Sequence, residues 1–281
     1  MNLKDIKPII VGYGRMGHEV EKALKAHGNN RYQIVDSAKM PNVDFSELSG
    51  LENHSRTFSD DVSVDIRQNT DRSIVAIDFT QTDQVLKNVE WYAQNGVNAV
   101  IGTTGWEKEL PKVKKLVKQS GIGLVYASNY AILVQIYNYI NRVVAAQMAE
   151  FLPTADFAVH ETHHNGKADA PSGTAKSLLD GIIRNFPMKT HMWTPKSKGE
   201  TKPGDAVTVS VMRLMGVTGE HDVVWATEDG AILKLHEHAG GRHEFANGAV
   251  VAAQFIAGRQ GLYDWEKVLK GRFAKNARGV R

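Results

Sequence analysis

The chain has 281 residues, 42% of them hydrophobic and 23% charged, with a formal net charge of +3. That is enough apolar material for two domains of ordinary size, and too mild a charge to suggest a nucleic-acid partner. There is no cysteine, which excludes disulfides, thiolate metal sites and cysteine nucleophiles together. The opening stretch, MNLKDIKPIIVGYG, carries an apolar run too short for a secretion signal. No segment approaches the ~18 apolar residues of a membrane helix. A soluble, cytoplasmic protein is expected. The basic tail over 270–281 holds much of the excess charge and reads as a solvated, frayed terminus.

In chain order, 8–11 (PIIV) reads as a buried strand, followed by the glycine run at 12–17 and a helix over 18–26. A second strand, 32–35, ends at Asp36. A third, 73–77, ends at Asp78-Phe79-Thr80. A helix over 84–93 precedes a strand at 99–101 and the loop Gly102-Thr103-Thr104-Gly105. A helix over 110–119 precedes a strand at 123–126 that reaches Ala127-Ser128-Asn129. Strand, loop and helix repeated in this way predict an α/β fold, a Rossmann-type doubly wound parallel sheet covered on both faces. Residues 41–70 break the rhythm and read as a polar, loop-rich excursion with at most one short strand. A long helix follows at 131–151. Beyond it, 156–161, 207–214, 222–227 and 231–238 alternate in β fashion around a helix at 172–184. That predicts a second, α+β domain with a mixed sheet. The stretch 188–204 reads as an exposed loop. The apolar helix at 247–258 (NGAVVAAQFIAG) is expected to return to the first domain, which makes that domain discontinuous. The expected division is 1–128 with 246–281 for a dinucleotide and 129–245 for a substrate.

Gly12-Tyr13-Gly14-Arg15-Met16-Gly17 lies between a strand and a helix. Gly12 allows the tight turn, Gly14 admits the pyrophosphate and Gly17 lets helix pack on strand, while the helix N-terminus offers free N–H groups. Asp36 stands where an acid accepts hydrogen bonds from the adenosine ribose. This favours NADH, although Lys39 can offset the preference. The Asp78-Phe79-Thr80 and Gly102–Thr104 loops fall at carboxyl ends of strands, where ligands bind in open sheets; Thr and Gly also simply make good turns.

The densest cluster runs from Glu161 to Ala175 (ETHHNGKADAPSGTA). It ends a strand, crosses a polar loop and starts a helix capped by Ser and Thr groups. N–H groups at Gly173 and Thr174 make a carboxylate cradle. His163, His164 and Lys167 stand beside it. A histidine titrates near neutrality and can donate a proton as hydride arrives; a lysine supplies fixed positive charge. Two sequence-adjacent histidines with no third ligand at helical spacing do not make a metal site, so none is expected. His236 and His238 would face one side of a strand, either lining the pocket or as satisfied rim residues.

The pattern E-x-H-H-x-x-K-x-D-x-P-S-G-T resembles the signature of the 4-hydroxy-tetrahydrodipicolinate (dihydrodipicolinate) reductase family of the diaminopimelate–lysine route. The resemblance spans nearly the whole chain. It includes VGYGRMG, the DFT and GTTG loops, Ala127-Ser128-Asn129, Gly219-Glu220-His221 and the FANGA stretch at 245–249. It departs at 130–133 and 214–215. It implies NADH or NADPH as reductant, a cyclic dicarboxylate as substrate, and a homotetramer built through the central domain, with neither nucleic acid nor membrane as partner. Residue by residue, it implies His163 as general acid/base and Lys167 as proton donor. His164, Gly173 and Thr174 would hold substrate carboxylates. Gly12, Tyr13, Gly14, Arg15, Met16, Gly17, Asp36, Gly102, Thr103, Thr104, Ala127, Ser128, Asn129 and Tyr130 would hold the cofactor. Two other readings remain: a different Rossmann imine or amino-acid dehydrogenase, and a catalytically silent dinucleotide-binding sensor.

Overall fold

A computed structural model describes residues 2–35, 73–194 and 198–278. Asp36, Lys39 and the excursion at 41–70 lie outside the described residues. The chain divides into two compact units, Met1–Ile132 with Arg242–Arg281, and Leu133–Gly241. Among the described residues no helix is long and apolar enough to cross a membrane.

The first unit carries six parallel strands: β1 (Lys7–Val11), β2 (Gln33–Val35), β3 (Ile74–Asp78), β4 (Asn98–Ile101), β5 (Gly123–Tyr126) and β11 (Gly261–Asp264). Their order across the sheet is β11-β5-β4-β3-β1-β2. The strands read as unbroken apolar runs because both faces are covered. Alternate residues serve opposite sides. Ile9, Ala76, Ala99 and Leu124 join a core with α2 (Val85–Gln94) and α3 (Leu110–Ser120). Ile10, Val75, Val100 and Val125 join a core with α1 (Arg15–Ala26), α6 (Arg242–Ile256) and α7 (Trp265–Arg278). The segment 247–258 lies in this unit within α6, which starts five residues before the expected helix. The tail expected to fray is instead helical to residue 278, anchored by buried Trp265 and Leu269. The chain leaves β1 toward β2 on one side, and β3 lies on the other. The carboxyl ends of β1 and β3 therefore flank the switch point where open α/β sheets bind ligands.

The second unit is a five-stranded mixed sheet, made of β6 (Asp156–His163), β7 (His191–Trp193), β8 (Ala206–Arg213), β9 (Glu220–Ala226) and β10 (Ile232–His238) in the order β10-β9-β6-β8-β7. The β6–β9 and β9–β10 pairs are antiparallel, and the others are parallel. Helices α4 (Ile132–Phe151) and α5 (Gly173–Ile183) cover one face over Phe157, Val159, Val209, Val223 and Trp225. The stretch at 188–204, read as loop, contributes the edge strand β7. Its His191 and Met192 are exposed, so it carries too little apolar signal to be read from sequence. The other face of the sheet is half-exposed to exposed and of mixed character, with Thr208, Ser210, Asp222 and Lys234 beside Val224, Met212 and Ile232.

Candidate active site

In the first unit, the expected cofactor residues other than Asp36, which lies outside the described residues, fall in loops at the carboxyl ends of β1, β4 and β5, with the Asp78-Phe79-Thr80 loop after β3 between the first two. Gly12 has φ +83°, and a Cβ there would lie 3.1 Å from the Phe79 carbonyl oxygen, so only glycine fits without strain. A Cβ on Gly17 would come within 2.4 Å of the Gly12 carbonyl, which lets α1 start tight against the turn. Gly14 has open space beside it, and no side chain caps the first turn of α1. Its leading N–H groups face outward with the positive end of the helix dipole, as a pyrophosphate requires. Arg15 is exposed and Met16 half-buried at that turn. Tyr13 is bound to Glu21, which also accepts from the Tyr32 hydroxyl and from Lys25. These donors outweigh burial and hold the Glu21 carboxyl down at about 2. The residues present fit a dinucleotide.

The neighbouring loops are tied to one another. The Thr103 hydroxyl donates to the Thr80 carbonyl at 2.9 Å, and the Thr82 hydroxyl to the Thr104 carbonyl at 2.8 Å. Buried Asp78 accepts from Thr80 N, Asn88 and Tyr92, and its burial pushes the carboxyl above the usual range. Gly102 passes so near the Phe79 ring that a Cβ would sit 2.1 Å from it. Ala127, Ser128 and Asn129 follow β5, with Asn129 Oδ1 accepting from Ala131 N. Tyr130 differs from the rest. Its ring is buried and its hydroxyl donates to the carbonyls of Ile101 and Val125, so its side chain belongs to the core and only its backbone remains to meet a ligand.

In the second unit, strand register assembles a charged cluster where the apolar core ends. Glu161 on β6 lies directly across from His221 on β9, which lies across from Glu237 on β10. On the other side His163 pairs in register with Arg213 of β8. All four of Glu161, His163, His221 and Glu237 are buried. His163 Nδ1 stands 3.8 Å from Glu161 Oε2 and has no hydrogen-bond partner. Its other side lies on Gly219, where a Cβ would come within 3.0 Å of Nε2. Burial, reinforced by His221 and against the pull of Glu161, brings the His163 pKa down to about 4. The free ring is therefore neutral at pH 7.

Lys167 lies in the turn after β6, paired with Asp169 at 2.5 Å. The Arg213 guanidinium approaches Glu161 Oε1 at 3.6 Å and donates to the Asp169 carbonyl at 2.7 Å. Ser172 caps α5 by accepting from Ala175 N, and its own N–H donates to Glu161 Oε2 at 2.9 Å. Gly173 is exposed and Thr174 half-exposed at the helix start, with nothing within 4 Å of a Cβ built on Gly173. His164 is exposed. His163, Lys167 and the α5 start therefore share one end of the unit.

Sequence reasoning passed over the roles of Glu161, Arg213 and Glu237. Arg213 and Glu237 come from separate strands, and only the pairing register brings them in. His221 was noted without its partners, although its place in Gly219-Glu220-His221 was a signal. His236 and His238 do not join the site. They are exposed and paired with Asp222 and Glu220 across β9. Glu161, His163 and His221 offer ligand atoms within 4.8 Å of one another. Both His221 ring nitrogens are engaged, however, and Arg213 and Lys167 bring positive charge to the place a cation would take.

Comparison with known proteins agrees in both units. The dihydrodipicolinate reductase N-terminus profile matches residues 6–130, and the C-terminus profile matches residues 135–269. The 4-hydroxy-tetrahydrodipicolinate reductase of Methanocaldococcus jannaschii is 30% identical over 274 residues, covering 94% of this chain and 97% of that protein. The enzyme of that name from Christiangramia forsetii is 30% identical over 264 residues, covering 94% and 98%. The dipicolinate-bound dihydrodipicolinate reductase from Paenisporosarcina sp. TG-14 shares the fold with a TM-score of 0.67 at 24% identity, covering 94% and 99%. The two profiles together match nearly the full length of the chain, which belongs to the dihydrodipicolinate reductase family.

Proposed function

We propose that the chain reduces 4-hydroxy-tetrahydrodipicolinate to tetrahydrodipicolinate with NADH or NADPH, using His163 and Lys167 for proton transfer. The observation that carries this reading is buried His163 Nδ1 without a hydrogen-bond partner, within electrostatic reach of Lys167 and at the end of the unit where α5 starts. The first turns of α1 and the loops after β3 and β4 would hold the dinucleotide, which when bound supplies a hydride. The remaining chemistry belongs to this chain. A proton enters with the hydride, and the 4-hydroxyl leaves as water, so atoms and charge balance.

The N–H groups at Gly173 and Thr174, with His164, hold the substrate carboxylates. Lys167 adds positive charge beside the same anion and re-supplies, through His163, the single proton that the reaction consumes. His163 is neutral while the site is free. A dianion arriving next to it raises its proton affinity, so the ring is charged as substrate binds and gives up the proton as hydride is delivered. The uncovered face of the five-stranded sheet, where Met212 and Ile232 stand exposed among polar residues, suits burial between copies of the chain, and we place the contacts of a homotetramer there.

The test is oxidation of NADH and of NADPH followed by absorbance, with substrate made in situ from pyruvate and aspartate semialdehyde by the preceding synthase. Oxidation that depends on the synthase is expected, and the two rates give the cofactor preference. Folded protein that binds dinucleotide without oxidising it would overturn the reading, leaving another imine substrate or a silent sensor.

A further inference from the structure

We propose that Glu237 and His221 form a buried positioning chain that holds the His163 ring and the first turn of α5 in one working arrangement. This rests on the acid–base role assigned to His163 above. His221 Nδ1 lies 3.0 Å from Glu237 Oε2, and its Nε2 lies 3.2 Å from Ser172 Oγ. Ser172 is the cap of α5, and its N–H is held by Glu161, so the helix start is gripped by Glu161 at the backbone and by His221 at the side chain. The same His221 ring meets His163 edge-on with centroids 5.1 Å apart, and its Nε2 is 4.0 Å from Glu161 Oε2. The Tyr137 hydroxyl of α4 donates to the His221 and Leu235 carbonyls, fixing the backbone on which His221 stands and the one leading to Glu237.

Stability alone is a weak reason for these residues. Glu237 Oε1 is buried with no hydrogen-bond partner. A buried ionisable pair of this kind is commonly matched or bettered by apolar side chains of similar volume. The arrangement does suit catalysis. A carboxylate on Nδ1 sets which ring nitrogen of His221 carries the proton and how the ring lies, which is how orienting carboxylates act on histidines elsewhere. His221 then bears on both the anion cradle and the acid. The charged groups facing the two histidines are Glu161 from β6, Arg213 from β8, Glu237 from β10 and Lys167 from the turn after β6.

Glu237→Gln keeps the shape and an acceptor but removes one negative charge. The charge lost lies behind His221, which faces His163 edge-on, so the His163 ring is expected to take a proton less readily. The expected result is a kcat at neutral pH lowered roughly tenfold or more, short of the ~10²–10⁴ that an acid–base group itself supplies. The protonation limb of the rate profile should move to lower pH. Glu237→Asp, which keeps the charge, should restore part of the rate, and NADH affinity should not change. A Glu237→Gln enzyme with wild-type kcat and pH profile would sink the proposal whatever its Tm. Should that variant not fold, His221→Asn, which retains a donor toward Glu237 but cannot reach Ser172, must raise KM for the substrate and lower kcat; wild-type values in both would overturn the proposal. His163→Ala measured alongside separates the two claims. If it keeps its rate, the reading of His163 fails. If it is inactive while Glu237→Gln is unaffected, only the positioning chain fails.

Discussion

His163 carries the clearest consequences at the scale of one residue. His163→Ala should lower kcat by about 10²–10⁴, the worth of a positioned acid, with NADH affinity kept. Equal losses in turnover and cofactor affinity, by steady-state kinetics and fluorescence titration, would remove it from the chemistry. Lys167→Ala should act in the same direction, since it takes the fixed charge from the same anion. The depressed pKa of His163 also bears on stability. The unfolded ring takes a proton near pH 6.5 and the folded ring only near pH 4, so the unfolded state binds more protons in between. Stability attributable to this residue is present above pH 6.5 and is lost as pH falls toward 4, by no more than about 3 kcal/mol. Urea denaturation across that window should show a shallower loss for His163→Gln; an identical slope would contradict the assigned ionisation. The motif around His163 was readable because its residues are consecutive and chemically specific. Glu237 and Arg213 were not, since their nearness depends on strand register, which a single chain's pattern leaves open.

At the scale of elements, the loops after β3 and β4 are packed without slack. Gly102→Ala places a methyl 2.1 Å from the Phe79 ring and must push that ring aside. We expect a destabilisation of about 1–3 kcal/mol, as for overpacking elsewhere, with weaker NADH binding. Unchanged denaturation and affinity would show that the two loops are not coupled. The central strands were legible because β1, β3, β4 and β5 are buried on both faces and read as apolar runs. The edge strands β7 and β11 were missed for the opposite reason: three or four residues each, largely half-exposed or exposed. The helix α7 was hidden by its charge, since Trp265 and Leu269, helped by partly buried Val268 and Phe273, mark the buried side of an otherwise basic segment. The start of α6 was placed late because Arg242 and His243 precede its apolar face.

At the scale of the whole molecule, the first unit is made from both ends of the chain. Truncation after residue 241 removes α6, whose Ala246, Ala249, Val250, Ala253 and Ile256 are fully buried. Such a fragment should lose the thermal transition of the first unit, while the segment 133–241 keeps its own protease-resistant core. A cooperative first-unit transition in the truncated chain would contradict this. Light scattering on the full chain should return four times the 31.0 kDa chain mass if the assembly proposed above forms.

The late arrival of α6 has a further consequence, for synthesis. While the ribosome is still adding residues, the β1–β5 face that carries Ile10, Ile77, Val100 and Val125 has no cover from α6 or α7. The 133–241 segment is by then complete in its own contacts. Folding order is therefore expected to run against synthesis order: the unit over 133–241 has all its residues before the unit begun first receives the segment from 242 onward, and pulsed proteolysis of stalled chains should find 133–241 protected first.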